Sequence, residues 1–260
     1  MKFALIQLNA GSNKKSNIEN ACKLVEKAAK SGAKTIILPE VFNYRGSLIG
    51  KELYDEIGED VPGESINPLI SIAKSRNVNI ISGSIYERAN SEKKVYNSCV
   101  VIDQTGSIID IYRKINLFKA IIDGKKIDEA NTFIPGDKTV ITKIQNIKIG
   151  ISICYDLRFP ELYREYFRKK VDVIVVLSSF TFNTGKYHWE PLLRARAIEN
   201  YCHVLAPNQF GVDGNNIKTY GNTIIINPNG DIVDSLSCEE EGILISELVV
   251  NKKMNHPQIG

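Results

Sequence analysis

Short runs of β-branched and aliphatic residues alternate along the chain with segments of helical period. Lys2–Asn9, Lys34–Leu38 and Val78–Ser82 read as strands, with Asn17–Lys30 and Ile66–Arg76 as the helices between them. In the first helix Ile18, Cys22, Val25 and Ala29 fall on one face, Ser16 or Asn17 can cap the start, and Gly32 suits the C-terminal stop. Cys22 is therefore expected to be a core thiol. Alternation of this kind predicts an α/β protein.

The same order then recurs. Lys2–Asn9 corresponds to Ile147–Cys154, Asn17–Lys30 to Glu161–Lys169, Lys34–Leu38 to Val171–Leu177, Ile66–Arg76 to Trp189–Asn200, and Val78–Ser82 to His203–Ala206. Each half ends in a segment that reads as a hairpin around a polar turn with Gly, Asn97–Asp110 and Gly221–Asp234. Sheets built from such strands are apolar on both faces. Packing two of them face to face with helices outside buries both, which predicts a duplicated, four-layer αββα sandwich forming one domain over residues 1–260. A doubly wound nucleotide binder would need a Gly-rich loop between strand and helix, and neither G-x-G-x-x-G nor a P-loop is present.

Composition narrows the class without changing it. Hydrophobic residues make up 43% of the 260 residues and charged residues 24%, ordinary values for a globular protein. The net charge of +3 comes from dispersed lysine pairs such as Lys14–Lys15 and Lys169–Lys170, which read as a solvated face and argue against a nucleic-acid partner. The apolar run after Lys2 is too short for a signal-peptide core or a membrane span, so a cytoplasmic location without membrane attachment is expected. The five cysteines show no C-x-x-C and no His/Cys cluster, so neither a disulfide framework nor a metal site is indicated, and no cofactor motif appears.

Three strands end on complementary chemistry: TIILPE on Glu40, IIDIYRK on Lys114 and IKIGISIC on Cys154. Ligands of α/β sheets gather beyond the carboxyl ends of strands. Cysteine is only slightly ionised at neutral pH, so a carboxylate that accepts its proton and an ammonium that stabilises the charge would make it a nucleophile. The same lysine, with a backbone N–H just after Cys154, could hold the oxyanion of a tetrahedral intermediate. Taken singly, Cys154 reads as core filler, Glu40 as a loop carboxylate and Lys114 as surface charge; their co-occurrence favours chemistry. A Cys–His pair of the papain kind has only His188, His203 and His256 to draw on. His188 reads as a structural histidine opening a helix, His203 opens a strand, and His256 lies in the tail. Phe42, Tyr44, Tyr155 and Phe180 are candidates to wall a pocket, although apolar residues beside strand ends are more often core.

At these residues the chain resembles the nitrilase superfamily of carbon–nitrogen hydrolases, through LPEVF around Glu40, YRKINLF around Lys114 and CYDLRFPEL from Cys154, in that order. The resemblance extends from ALIQLN to the last hairpin and implies the αββα sandwich on its own account. It implies a further site glutamate before a Pro-Gly, which DEANTFIPG matches with Glu129. CYDLRFPEL with TGKYHWEPLLRARAIEN is similar to the branch of omega-amidases and deaminated-glutathione amidases, which release ammonia from the terminal amide of small dicarboxylate-like substrates. That branch implies substrate contacts from Arg158 and Thr184, beside Tyr155 and Phe180; a guanidinium can pair bidentately with a distal carboxylate. A structural pairing of Arg158 with Glu161 is the competing reading. Homodimerisation is implied by the family, although NKKMNHPQIG lacks its usual arginine-rich ending, and Tyr220-Gly221-Asn222-Thr223 and Pro228-Asn229-Gly230 depart from its pattern.

The expected function is hydrolysis of a small-molecule amide through a cysteine acyl-thioester, with deaminated glutathione or alpha-ketoglutaramate as model substrates. Hydrolysis of an N-carbamoyl or other amide, acyl transfer to an amine, and a non-catalytic binding module are the alternatives.

Overall fold

The computed structural model describes residues 1–90, 93–122 and 125–249. The tail NKKMNHPQIG, with His256, lies outside the described residues. The first half contains β1 (Lys2–Gln7), α1 (Lys14–Lys30), β2 (Thr35–Ile37), α2 (Gly50–Glu56), α3 (Asn67–Arg76), β3 (Asn79–Ile81), β4 (Ile85–Arg88), β5 (Val95–Ile102) and β6 (Ile108–Arg113). A small hairpin, β7 (Lys119–Ile122) and β8 (Lys125–Asp128), follows. The second half contains β9 (Ile141–Ile144), β10 (Ile147–Ile153), α4 (Pro160–Arg168), β11 (Val173–Leu177), α5 (Phe182–Asn200), β12 (His203–Ala206), β13 (Phe210–Val212), β14 (Lys218–Tyr220), β15 (Ile224–Ile226) and β16 (Ile232–Ser235). Finally β17 (Gly242–Glu247) returns to pair antiparallel with β1.

Two large sheets result, ordered β17-β1-β2-β3-β5-β4 with β6 on β5, and β16-β15-β12-β11-β10-β9. The internal duplication is visible in them. Parallel triplets β1-β2-β3 and β10-β11-β12 each continue into an antiparallel hairpin, β5-β6 or β15-β16. Because side chains alternate across a strand, each strand feeds two layers. Phe3, Leu5, Ile37 and Ile81 meet Ile149, Ile151, Val175 and Leu205 between the sheets. Ala4, Ile6, Ile36 and Ile80 pack against α1 and α3, while Ile174, Val176 and Val204 pack against α4 and α5 through Tyr163, Tyr166 and Trp189. The αββα sandwich follows from this alternation of apolar faces.

Several boundaries differ from the sequence reading for local reasons. Helix α1 starts earlier, capped by Asn13, whose side chain accepts from the Ser16 N–H at 3.0 Å. Asn17 is spent elsewhere, tying Gly11 to the Asn43 carbonyl. Gly32 lies in the left-handed region (φ 86) just past the end of α1, as a C-terminal stop requires. Cys22 is half-buried against the outer core, and burial followed by the Glu26 charge pushes its thiol up to about 11. Helix α5 begins at Phe182, not Trp189, so His188 sits inside it. The polar FNTGKYH stretch hides this helical turn in the sequence; it is held by Gly185, where a Cβ would collide with the Tyr220 ring at 2.4 Å.

Candidate active site

In both sheets the parallel strands run toward one edge of the sandwich, and β2, β6, β10 and β11 each hand the chain there to a polar residue. Glu40 follows β2 by way of Pro39, Lys114 follows β6 directly, and Cys154 follows β10. Strand β10 ends one residue before the thiol. Cys154 itself has φ 46 and opens a single 3-10 turn, Cys154–Arg158. Val41, next to Glu40, has φ 47, a region that costs a β-branched residue strain and so is held by its surroundings.

The Lys114 ammonium is the hub. Its Nζ lies 3.0 Å from Glu40 Oε1 and 3.0 Å from Glu129 Oε2, with Lys114 only 1% exposed. Asn97 Nδ2 donates to Glu40 Oε1 at 2.9 Å, and the Ser179 N–H donates to Glu40 Oε2 at 2.9 Å. Gln209 Nε2 fixes the Glu40 carbonyl at 2.9 Å, and the Phe118 N–H binds Glu129 Oε2 at 2.6 Å. Burial disfavours a charged lysine, yet Glu129 and Glu40 outweigh it and hold the Lys114 pKa well above its usual value. Burial raises the Glu129 pKa against the opposing pull of Lys114. For Cys154, burial is the largest cause and Glu40 adds to it; Lys114 and the Ser179 N–H oppose, and the thiol pKa ends well above normal. A protonated thiol beside a carboxylate is the resting arrangement this field favours.

Asp156, two residues after the thiol, is fully buried. Its Oδ2 accepts from the Tyr112 hydroxyl at 2.7 Å and the Ile153 N–H at 2.9 Å, while Oδ1 accepts from the Asn116 N–H and Nδ2, both at 2.9 Å. Tyr112 belongs to β6 and Asn116 follows Lys114. One carboxylate therefore ties the Cys154 turn in one sheet to the Lys114 segment of the other.

Glu40, Lys114, Glu129 and Cys154 share a cavity of about 210 Å³. Tyr155, Arg158, Phe180 and Thr184 also line it. The Arg158 guanidinium stands 5.8 Å from the Tyr155 ring centre and 5.5 Å from that of Phe180, and its Nη2 is 3.2 Å from His188 Nδ1. It turns to this histidine and the two rings, not to Glu161. The second arginine of the cavity, Arg45, is already surrounded by Asp213 Oδ2 at 3.6 Å, Thr219 Oγ1 at 3.3 Å, Asn9 Oδ1 at 3.3 Å and Gln209 Oε1 at 3.4 Å. Thr184 Oγ1 is 2.7 Å from Thr181 Oγ1.

Two of the suggested wall residues are elsewhere. Phe42 packs in the helix-side core, and Tyr44 in a satellite cluster with Tyr86 and Phe133. His203 sits at the amino end of β12, away from the carboxyl edge, and His188 is spent on Arg158. The charged groups acting on Cys154 are Glu40, Lys114 and Glu129. Asn97, Ser179, Asp156 and Gln209 were not anticipated. Ser179 follows the apolar VIVVL run of β11 just as Glu40 follows β2, so the strand-end rule applied once more would have found it. Among the described residues no group of three or more His, Cys, Asp or Glu side chains is disposed to hold a metal ion.

Comparison with known proteins agrees with this geometry. Residues 2–252 match the model of the carbon-nitrogen hydrolase family. The chain is 36% identical over 252 residues to mouse omega-amidase NIT2, covering 96% of this chain and 89% of that protein. It superposes on Nit3 of Saccharomyces cerevisiae, a solved member of branch 10 of the nitrilase superfamily, with TM-score 0.83 and 30% identity, over 95% of this chain and 89% of that one. The NitFhit protein of C. elegans gives TM-score 0.86 at 28% identity over 94% of this chain, which spans 60% of that longer one. With the sandwich and nearly its full length in common, the chain belongs to the carbon–nitrogen hydrolase family of the nitrilase superfamily, hydrolases of carbon–nitrogen bonds other than peptide bonds.

Proposed function

We propose that this chain releases ammonia from a small omega-amide that carries a free carboxylate, by way of an acyl-thioester on Cys154. The observation that carries the reading is a thiol, a buried ammonium and two carboxylates sharing one cavity with Arg158, which no carboxylate reaches among the described residues. Similarity to an omega-amidase over most of both chains supports the same substrate class.

In this scheme the substrate amide carbon sits against Cys154 Sγ and its distal carboxylate against Arg158. Glu40 takes the thiol proton as sulfur attacks, because the raised thiol pKa leaves little preformed thiolate. The Lys114 ammonium and the Tyr155 N–H stabilise the oxyanion. Glu40 returns the proton to nitrogen, the C–N bond breaks and ammonia leaves. Water then attacks the thioester, Glu40 takes its proton, and the carboxylic acid departs as the thiol is restored. Glu129 holds Lys114 in place throughout. Tyr155, Phe180 and Thr184 shape the cavity around the substrate stem.

Incubation with succinamate, alpha-ketoglutaramate and deaminated glutathione tests this. Ammonia is expected from at least one of them and from none with Cys154→Ala; no turnover of any by the native chain rejects the substrate class. With an amine acceptor added, substituted amides formed in place of the free acid would instead indicate acyl transfer. A cytoplasmic homodimer is part of the same proposal. Unpaired thiols suit a reducing compartment, and Ile198 on α5, Tyr201 just past its end, and Ile232 and Val233 on β16 are exposed apolar side chains that a second copy would cover. Sedimentation at micromolar concentration is expected to give twice the chain mass.

A further inference from the structure

We propose that His188 is a positioning residue for Arg158 and so sets how strongly the cavity prefers amides that carry a carboxylate. The inference rests on the reading in which Arg158 receives that carboxylate.

Arg158 closes the turn that Cys154 opens, so Asp156 fixes its backbone relative to the thiol. Its side chain is long, half-exposed and entropically costly to order. Two of its neighbours, Tyr155 and Phe180, offer ring faces. A ring face attracts the cation but leaves it free to spin in its plane. His188 Nδ1, at 3.2 Å from Nη2, is the directional contact. Guanidinium has no lone pair to offer, so Nδ1 accepts and the imidazole proton resides on Nε2. One of five N–H groups is thereby used, and a fork remains to receive a carboxylate bidentately.

The histidine stands on a firm base. Its neighbour Trp189 is 1% exposed and donates Nε1–H to the Asn222 carbonyl at 2.8 Å, and Gly185 lets α5 sit against the Tyr220 ring. One turn earlier, Thr184 lines the cavity. Rigid α5 thus carries the acceptor that aims a mobile cation, which no part of the thiol chemistry requires.

The test compares succinamate with its neutral counterpart succinamide on the full chain. His188→Leu removes the acceptor; His188→Asn keeps an oxygen where Nδ1 stood. His188→Leu is expected to raise KM for succinamate about three- to tenfold, the equivalent of one lost hydrogen bond, with kcat for succinamate and both constants for succinamide unchanged. His188→Asn is expected to restore most of the lost affinity. In an Arg158→Gln background the His188→Leu change should have no further effect on succinamate. If Arg158→Gln leaves the preference for succinamate over succinamide untouched, or the native chain hydrolyses neither succinamate nor the other two carboxylate-bearing amides, the carboxylate reading fails and this inference with it. If Arg158→Gln abolishes the preference while His188→Leu leaves KM where it was, the inference alone falls. Equal damage from Leu and Asn, or a fall in kcat for both amides, would likewise overturn it, by showing a packing role.

Discussion

At the scale of single residues, the site poses an electrostatic problem with a measurable consequence. Glu40 has two opposed effects on Cys154: as a base it is the proton's destination, and as a nearby negative charge it pushes the thiol pKa up. Glu40→Gln separates them. Ammonia release is expected to fall by about 10²–10⁴-fold, the usual worth of a general base. Alkylation of Cys154 by iodoacetamide at pH 8, which needs thiolate and no base, is expected to become faster because Lys114 then acts with one carboxylate fewer opposing it. Slower alkylation in this variant would contradict the assigned field. Glu129 offers a second test. Burial raises its pKa in the folded chain, so folding takes up a proton between the ordinary glutamate range and that raised value. The stabilisation is complete at the acid end and is lost as pH rises through the folded pKa. Across that window the native Tm is expected to decline relative to Glu129→Gln, which cannot titrate, and a parallel course of the two melting curves with pH would refute the shift. The four chemical residues were legible because each ends a strand or sits in a recognisable motif. Asn97 was not, because it acts on Glu40 through a side-chain amide, and a strand Asn carries no pattern that distinguishes such service from solvation; Ser179, which acts through its backbone N–H, is marked only by its place after β11. Asp156 could have been suspected: an acidic residue three positions past an apolar strand must find donors if it is buried.

At the scale of elements, what the sequence conveyed well was the alternation of apolar residues, and what it conveyed poorly was where polar residues start and stop the helices. Helix α1 illustrates the second point, since Asn13, Ser16 and Asn17 are all plausible caps and only the bonds of the Asn17 side chain to Gly11 and Asn43 show that it ties down the preceding loop and leaves the cap to Asn13. Asn13→Ala is expected to cost about 1 kcal/mol, while Ser16→Ala, which deletes no cap, is expected to leave the melting temperature unchanged; the reverse order would return the cap to Ser16. Strand β10 is the more consequential element because it delivers the nucleophile. Its Gly150 lies beneath Tyr166 of α4, and a Cβ there would meet the ring at 2.8 Å. Tyr166 is fully buried and its hydroxyl is bonded to the Ile151 carbonyl, so it has little room to yield. Gly150→Ala is expected to destabilise the chain by about 1–3 kcal/mol by overpacking, and the displaced α4 should drag on the Cys154–Arg158 turn that leads into it, lowering kcat as well. Thermal melts and ammonia release on the same preparation check both parts.

For the whole molecule, the decisive feature is that the duplicated halves are not independent units leaning together. Their inner faces form one layer, in which Leu5 and Ile37 of the first sheet touch the same cluster as Ile151 and Val175 of the second, and the Tyr112–Asp156 hydrogen bond crosses between them beside the site. The candidate site itself is drawn from both, with Glu40, Asn97 and Lys114 from one half and Cys154 and Ser179 from the other. Neither half holds a thiol beside its base without its counterpart, and we therefore propose that the chain unfolds as one domain. The single tryptophan makes this testable. Trp189 lies in the outer layer of the second half, 1% exposed and packed near Phe180, so its fluorescence reports that half, whereas far-UV circular dichroism reports all the strands and helices. Leu5→Ala places a cavity in the shared layer from the side of the first half, at a cost of about 2–5 kcal/mol. If the halves cooperate, the urea midpoints from fluorescence and dichroism coincide in the native chain, and both move down together in Leu5→Ala. A dichroism curve that splits in two while the Trp189 transition stays at its native midpoint would show that the sheets unfold separately, and the site would then depend on docking between two bodies instead of on one continuous core.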